Sequence, residues 1–330
     1  MRVFADYHHG DLYEALCILF EDRFGGAVYR PVGLEWYTEK KWTIHPAQAT
    51  AEQFLHLGGA TLHDGGGEYS IPMPGRRDHR GVTRAQFAAS DWDIVVSSVP
   101  RHDAIYAQLA RNTGAKHVVH VGNIGQQVPW ELNPYALVSN STPIQGRGCR
   151  YHMEFELPEF SYTSPTNLRR VSSFVHCMVH YPVGQAAWHE LRALLPEFEF
   201  LQYGAACEQD VHASVAQGMR DAGWAFHSKD VGDGYGFTIH QWAATGRPMV
   251  GHSSPYRRPT NRMAEPFWEG GAQYPIDLDR VSLAEAARRM RHLAAHPEEF
   301  EREARAARPR FERIDFDTEA AAIAVLLDRS

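Results

Sequence analysis

Cysteine is scarce and scattered: the 330-residue chain has four, Cys17, Cys149, Cys177 and Cys207, and no two of them form a C-x-x-C pair. That spacing excludes a zinc-ribbon pattern and a disulfide framework, so the four are read as reduced thiols and no metal site is assigned. No Gly-Lys-Ser or Gly-Lys-Thr occurs, which excludes a Walker phosphate loop. No run approaches the roughly 20 apolar residues that span a bilayer. The start, Met1-Arg-Val-Phe-Ala-Asp6, turns polar too soon for a signal peptide, and a soluble cytoplasmic protein is expected. An excess of positive charge is also missing. The 33 Lys and Arg against 40 Asp and Glu give a formal charge of -7, which argues against binding nucleic acid by bulk electrostatics and leaves a local basic face open.

What is present is an ordinary globular composition, 44% hydrophobic and 22% charged, in a chain long enough for two cores. Short apolar runs of strand length alternate with helical spacing. Arg2 to Tyr7, Val28 to Pro31, Trp92 to Ser98, Lys116 to Val121 and Tyr135 to Ser139 read as strands; Leu12 to Phe24 and His102 to Asn112 read as helices. A turn-rich stretch, Pro143 to Arg170, marks the crossing between domains, placed as 1–165 and 166–330 with the last helix able to cross back. The pattern then restarts, with strands at Ser172 to His180, Phe198 to Tyr203, Trp224 to His227 and Pro248 to Gly251, and helices at Gln185 to Leu195, Val211 to Ala222 and Phe237 to Thr245. Alternation of this kind predicts parallel sheets, an α/β protein of two Rossmann-like halves.

The most informative segment is Gly232-Asp-Gly-Tyr-Gly236, followed by a helix from Phe237. Glycines there allow positive φ and close approach of a ligand to the backbone, and the helix start offers N–H groups and a positive dipole end to phosphate. A plain strand-to-helix turn is the simpler alternative. The dinucleotide fingerprint G-x-G-x-x-G fails, because the position after Gly232 and Gly234 that should be glycine is Phe237.

The eighteen residues Asp233-Gly-Tyr-Gly-Phe-Thr-Ile-His-Gln-Trp-Ala-Ala-Thr-Gly-Arg-Pro-Met-Val250 resemble the Glu-x7-Glu segment of retaining GT-B glycosyltransferases. The resemblance implies two Rossmann-like domains facing each other across a cleft, and a nucleotide-diphosphate sugar as donor with no further cofactor. It places the first acid, beside the donor sugar, on Asp233 and the second, on the ribose, on Gln241. Gly234, Tyr235, Gly236, Phe237 and Thr238 would line the donor. Asp shortens the reach, and Gln keeps an acceptor oxygen while losing the charge.

Other candidates rest on position. His8 and His9 follow the first strand, where an open sheet forms its ligand crevice, and are read as catalytic candidates facing the acceptor; ordinary turn histidines are the simpler account. His180 and Gly184 would border the nucleotide. Arg257 and Arg258, after the Pro248 to Gly251 strand, are candidates to neutralise diphosphate, against the commoner reading of a charged surface loop. His102, His120 and Asn123 lie near strand ends, and the aromatics Trp36, Tyr37, Trp42 and Trp130 could stack a sugar or base, with core packing the simpler reading. Compact chains with a divergent motif also resemble bacteriophage enzymes that glycosylate hydroxymethylated pyrimidines in DNA, which would put the protein in a host cytoplasm. Arg76 to Arg80, Arg147, Arg150, Arg169 and Arg170 could then follow a phosphate backbone. The expected activity is transfer of a hexose or pentose to an acceptor hydroxyl, retaining and metal-independent. A GT-B sugar-nucleotide epimerase and a nucleotide-binding relative without catalysis are the alternatives.

Overall fold

A computed structural model describes residues 1–7, 10–31, 69–71, 77–175, 178–203, 215–259, 261–268 and 276–328. The chain divides into two compact units. The first takes in Met1–Gly122, Gln126–Phe155 and Phe316–Ser330, the second Glu156–Asp315 with the short Asn123–Gly125 segment.

In the first unit the strands are β1 (Arg2–Ala5), β2 (Ala27–Pro31), β3 (Tyr69–Ile71), β4 (His79–Val82), β5 (Ile94–Ser97), β6 (Lys116–Val121), β7 (Tyr135–Val138) and β8 (Gly148–Arg150). They form one sheet in the order β3-β4-β2-β1-β5-β6-β7-β8, parallel except for the antiparallel β3–β4 pair. Helices α1 (Gly10–Cys17), α2 (Arg84–Ala88) and α3 (Pro100–Thr113) connect strands. The strands are apolar on both faces because helices cover a parallel sheet: Val3, Phe4, Val95, Val96, Val118 and Val119 are fully buried. β2 lies on one side of β1 and β5 on the other, so the strand order reverses between β1 and β5, where such sheets open a crevice at their carboxyl edge.

In the second unit β9 (Asn167–Ser173), β10 (Glu199–Gln202), β11 (Ala222–Phe226), β12 (Met249–Gly251) and β13 (Ile276–Asp277) form a wholly parallel sheet, β10-β9-β11-β12-β13. Its order reverses between β9 and β11. Helices α4 (Pro182–Leu194), α5 (Val215–Asp221), α6 (Phe237–Thr245), α7 (Leu283–Ala295) and α8 (Pro297–Phe311) complete the unit. Val171, Trp188, Leu191, Trp224, Phe226 and Phe300 form its core. The last helix, α9 (Phe316–Asp328), belongs to the first unit: Asp317 pairs with Arg23 at 2.5 Å, Glu319 accepts from the His152 N–H at 2.7 Å, and the Leu327 carbonyl accepts from Lys116.

The α/β class and the two Rossmann-like halves are as expected from the sequence. Three of the expected elements differ, and β3, β4 and α2 lie where the sequence reading placed no strand or helix. The strand expected at Ser172 to His180 runs instead from Asn167 to Ser173, followed by a 3-10 turn at Met178–His180 that leaves His180 exposed. Its polar start is drawn into the sheet by pairing on both sides and by a 2.7 Å hydrogen bond from Arg170 to Glu199. The turn-rich Pro143 to Arg170 stretch contains β8, an edge strand. The helix expected over Leu12 to Phe24 changes to a π-helical turn at Ile18–Arg23. No described helix is long and apolar enough to cross a membrane.

Candidate functional site

The carboxyl edge of the second sheet carries ten residues between β11 and α6, His227 to Gly236, held at several points. Asp230 accepts from the Val183 N–H at 3.0 Å and the Gly184 N–H at 3.1 Å, so a carboxylate of this loop fills the start of α4. Gly184 is needed for that closeness, since a Cβ on it would stand 2.3 Å from the Ser228 carbonyl oxygen. Asn261 donates to the Val231 carbonyl at 2.8 Å and to that of Pro255 at 3.2 Å. Of the three glycines in the turn, Gly232 and Gly236 use positive φ, 78° and 79°.

Asp233 lies at the centre of this loop. Its carboxylate accepts from His227 Nε2 at 2.9 Å, from Lys229 Nζ, and from the Tyr256 hydroxyl at 3.4 Å. Burial alone would raise its pKa, but the Lys229 ammonium and the His227 hydrogen bond outweigh it and hold the acid well below the usual carboxylate range. Burial likewise opposes charge on Lys229, and the Asp233 carboxylate overrides that and raises its pKa. For His227 burial dominates and lowers the pKa against the pull of Asp233. The group is therefore an ion pair beside a neutral imidazole.

Past the ion pair, Gly236 begins α6 in the left-handed conformation and no side chain caps the helix. Tyr235 turns inward and stacks on His240 at 4.1 Å, and His240 Nδ1 meets the Gly236 carbonyl at 2.9 Å. Phe237 and Thr238 are half-buried at the helix start. Gln241, one turn into α6, is only 6% exposed. Its amide offers both donors and an acceptor to a hydroxyl. An uncapped helix start, an ammonium and an amide together suit an anion joined to a hydroxyl-bearing group.

The remaining candidates are dispersed. His8 and His9 lie outside the described residues, as do Trp36, Tyr37 and Trp42. Arg257 is exposed and drawn to Asp277 at 3.6 Å; Arg258 is exposed on the same turn. In the first unit the reversal between β1 and β5 is occupied by Asp6, which accepts from the Ser98 N–H at 2.8 Å, the Ser98 hydroxyl and His102 Nδ1 at 2.9 Å. Gln126 ties the neighbouring strand ends together, donating to the Ser98 and His120 carbonyls at 3.3 and 3.2 Å. Arg77 pairs with Asp22 and Glu14, Arg80 with Glu21, and Arg170 with Glu199, while Arg150 donates to the Val138, Asn140 and Thr142 carbonyls. No cluster of three His, Cys, Asp or Glu able to hold a metal occurs among the described residues.

The sequence reading did not find Lys229, His227, Tyr256 or Asp6. Lys229 and Asp233 stand four residues apart just past a strand, which is a readable signal. Tyr256 comes from 23 residues away and leaves none.

No family model matches the chain, and no curated protein matches it in sequence. Solved structures do match end to end. HepE from Anabaena, in complex with UDP and glucose, has a TM-score of 0.62 at 12% identity, with 100% of both chains covered. The same protein with UDP-glucose gives 0.60 at 13% identity, again with 100% of both chains covered. An alpha-glucosyltransferase in complex with UDP and a 13-mer DNA containing an HMU base gives 0.62 at 9% identity, with 100% of both chains covered. At these identities the likeness is one of fold. The chain has the fold of GT-B glycosyltransferases.

Proposed function

We propose that the protein is a cytoplasmic glycosyltransferase that moves a sugar from a UDP-sugar to an acceptor hydroxyl, with retention and without a divalent cation. The observation that carries this reading is the uncapped start of α6 behind Gly236, set beside the buried Gln241 amide and the Lys229–Asp233 pair. The end-to-end likeness to structures holding UDP and UDP-glucose supports it. In this reading the diphosphate lies at the Gly236–Thr238 backbone and the Gln241 amide takes a ribose hydroxyl. Placing the leaving group in a fixed positive environment is the main catalytic contribution.

For the acceptor we favour a hydroxymethylated pyrimidine in DNA, supported by the alpha-glucosyltransferase whose complex contains such DNA. Arg77, Arg80, Arg150 and Arg170 are engaged within the protein, so they add little to that preference. The test is incubation with UDP-, GDP-, ADP- and dTDP-sugars, with and without DNA carrying hydroxymethylated pyrimidines. UDP-sugar consumption with label appearing in the DNA is expected. Isomerised donor without transfer would identify an epimerase instead; binding without turnover, an inactive relative. Absence of binding to every donor would overturn the reading.

A further inference from the structure

A departing diphosphate needs a cation. Arg257 is drawn to Asp277, which Arg280 also approaches at 3.4 Å, and Arg258 lies exposed on the turn after β12. The start of α4 is already filled by Asp230. Lys229 differs from all of these. Its side chain is 19% exposed, at the edge of the site without being sealed inside it, and Asp233 holds its ammonium. An ammonium has three N–H bonds, and among the described residues Asp233 is its one hydrogen-bond acceptor, with the Tyr181 ring 6.0 Å away. Asp233 is itself fixed by His227 and Tyr256, so the acid has a definite orientation to impose on the lysine.

Resting on the UDP-sugar reading above, we infer that Lys229 is the cation that binds and neutralises the leaving diphosphate, and that Asp233 is its positioning residue. The bond between the sugar C1 and the diphosphate oxygen breaks, and its electron pair leaves on that oxygen beside the Lys229 ammonium. The acceptor oxygen bonds to C1 and its proton passes to the departing phosphate. Asp233 keeps Lys229 charged and in place throughout. The acid that the resembled segment uses beside the sugar is thereby assigned a different task in this chain.

Equilibrium binding of UDP and of uridine separates this assignment from its alternatives. Lys229→Met is expected to weaken UDP by about tenfold or more, the worth of a charge-assisted hydrogen bond, while uridine stays within about twofold. Lys229→Arg should keep most of the UDP affinity, and Arg257→Met with Arg258→Met should leave both ligands unaffected. Because Lys229→Met leaves Asp233 short of a cation, Lys229→Met with Asp233→Asn is measured beside it and should show the same selective loss. Wild-type UDP affinity in the two lysine-to-methionine proteins, or an equal loss of uridine, would overturn the assignment to Lys229. Failure of the wild-type protein to bind UDP would overturn the donor reading and this assignment with it.

Discussion

Asp233 and Gln241 stand where the resembled segment has two glutamates, and their surroundings make sense of both changes. A shorter acid fits between Lys229 and His227 on a loop that is pinned by Asp230 and Asn261. Gln241, buried on α6, avoids placing an uncompensated carboxylate in a mostly apolar helix. The spacing of the resembled segment picks out both positions in the sequence despite the substitutions. Lys229 stands four residues before Asp233 and is legible by that spacing, whereas Asp6 is not, since the fold alone brings Ser98 and His102 near it. The same scale governs acid sensitivity. His117 contacts Ser97 at 3.2 Å, and burial with the nearby Arg111 lowers its pKa to about 4. An unfolded histidine titrates near about 6.5, so below that pH the unfolded chain takes a proton that the folded chain refuses, and stability falls as pH drops toward 4. His227, with its pKa also lowered, acts in the same sense. Urea unfolding at pH 7.5 and pH 5.0 should show a loss that His117→Asn lessens by on the order of 1–2 kcal/mol; an unchanged loss in that variant would exclude the histidine as a source.

Among the elements, β6 is legible to the residue, Lys116–Val121, because its β-branched Val118, Val119 and Val121 run up to the Gly122 turn. β9 is not, because most of its seven residues are polar and its place in the sheet comes from backbone pairing with β10 and β11. The junction at the far end of α6 was also hidden. Arg247 is fully buried and donates to the Thr245, Met219 and Arg220 carbonyls and the Thr163 hydroxyl, at 2.8, 3.2, 2.6 and 3.1 Å. Its guanidinium therefore serves the carboxyl ends of both α5 and α6, where carbonyls lack helical partners and the dipole favours a cation. Arg247→Met would leave these carbonyls unsatisfied and should cost about 3 kcal/mol or more, read as a lower denaturant midpoint. A near-neutral result would mean that water replaces the guanidinium.

At the scale of the whole chain, alternation of strands and helices announced two parallel sheets, but where the last helix docks is a tertiary fact. α9 places Ile323, Leu326 and Leu327 in the interior and meets Arg23, Lys116 and His152 of the first unit. Removing 316–330 should therefore loosen the first unit and spare the second. Hydrogen exchange would show it, with faster exchange in β7 and β8 and unchanged protection in β9 and β11. Uniform loosening of both sheets would contradict the division.

That docking also bears on how the protein is made. The second unit is nearly continuous in sequence, so a ribosome delivers almost all of it before α9 appears. The first unit, begun earliest, must wait with part of its apolar surface uncovered until the closing segment has been synthesised. Birth order and completion order are thus reversed, and the early-made half is the one that relies longest on protection from aggregation.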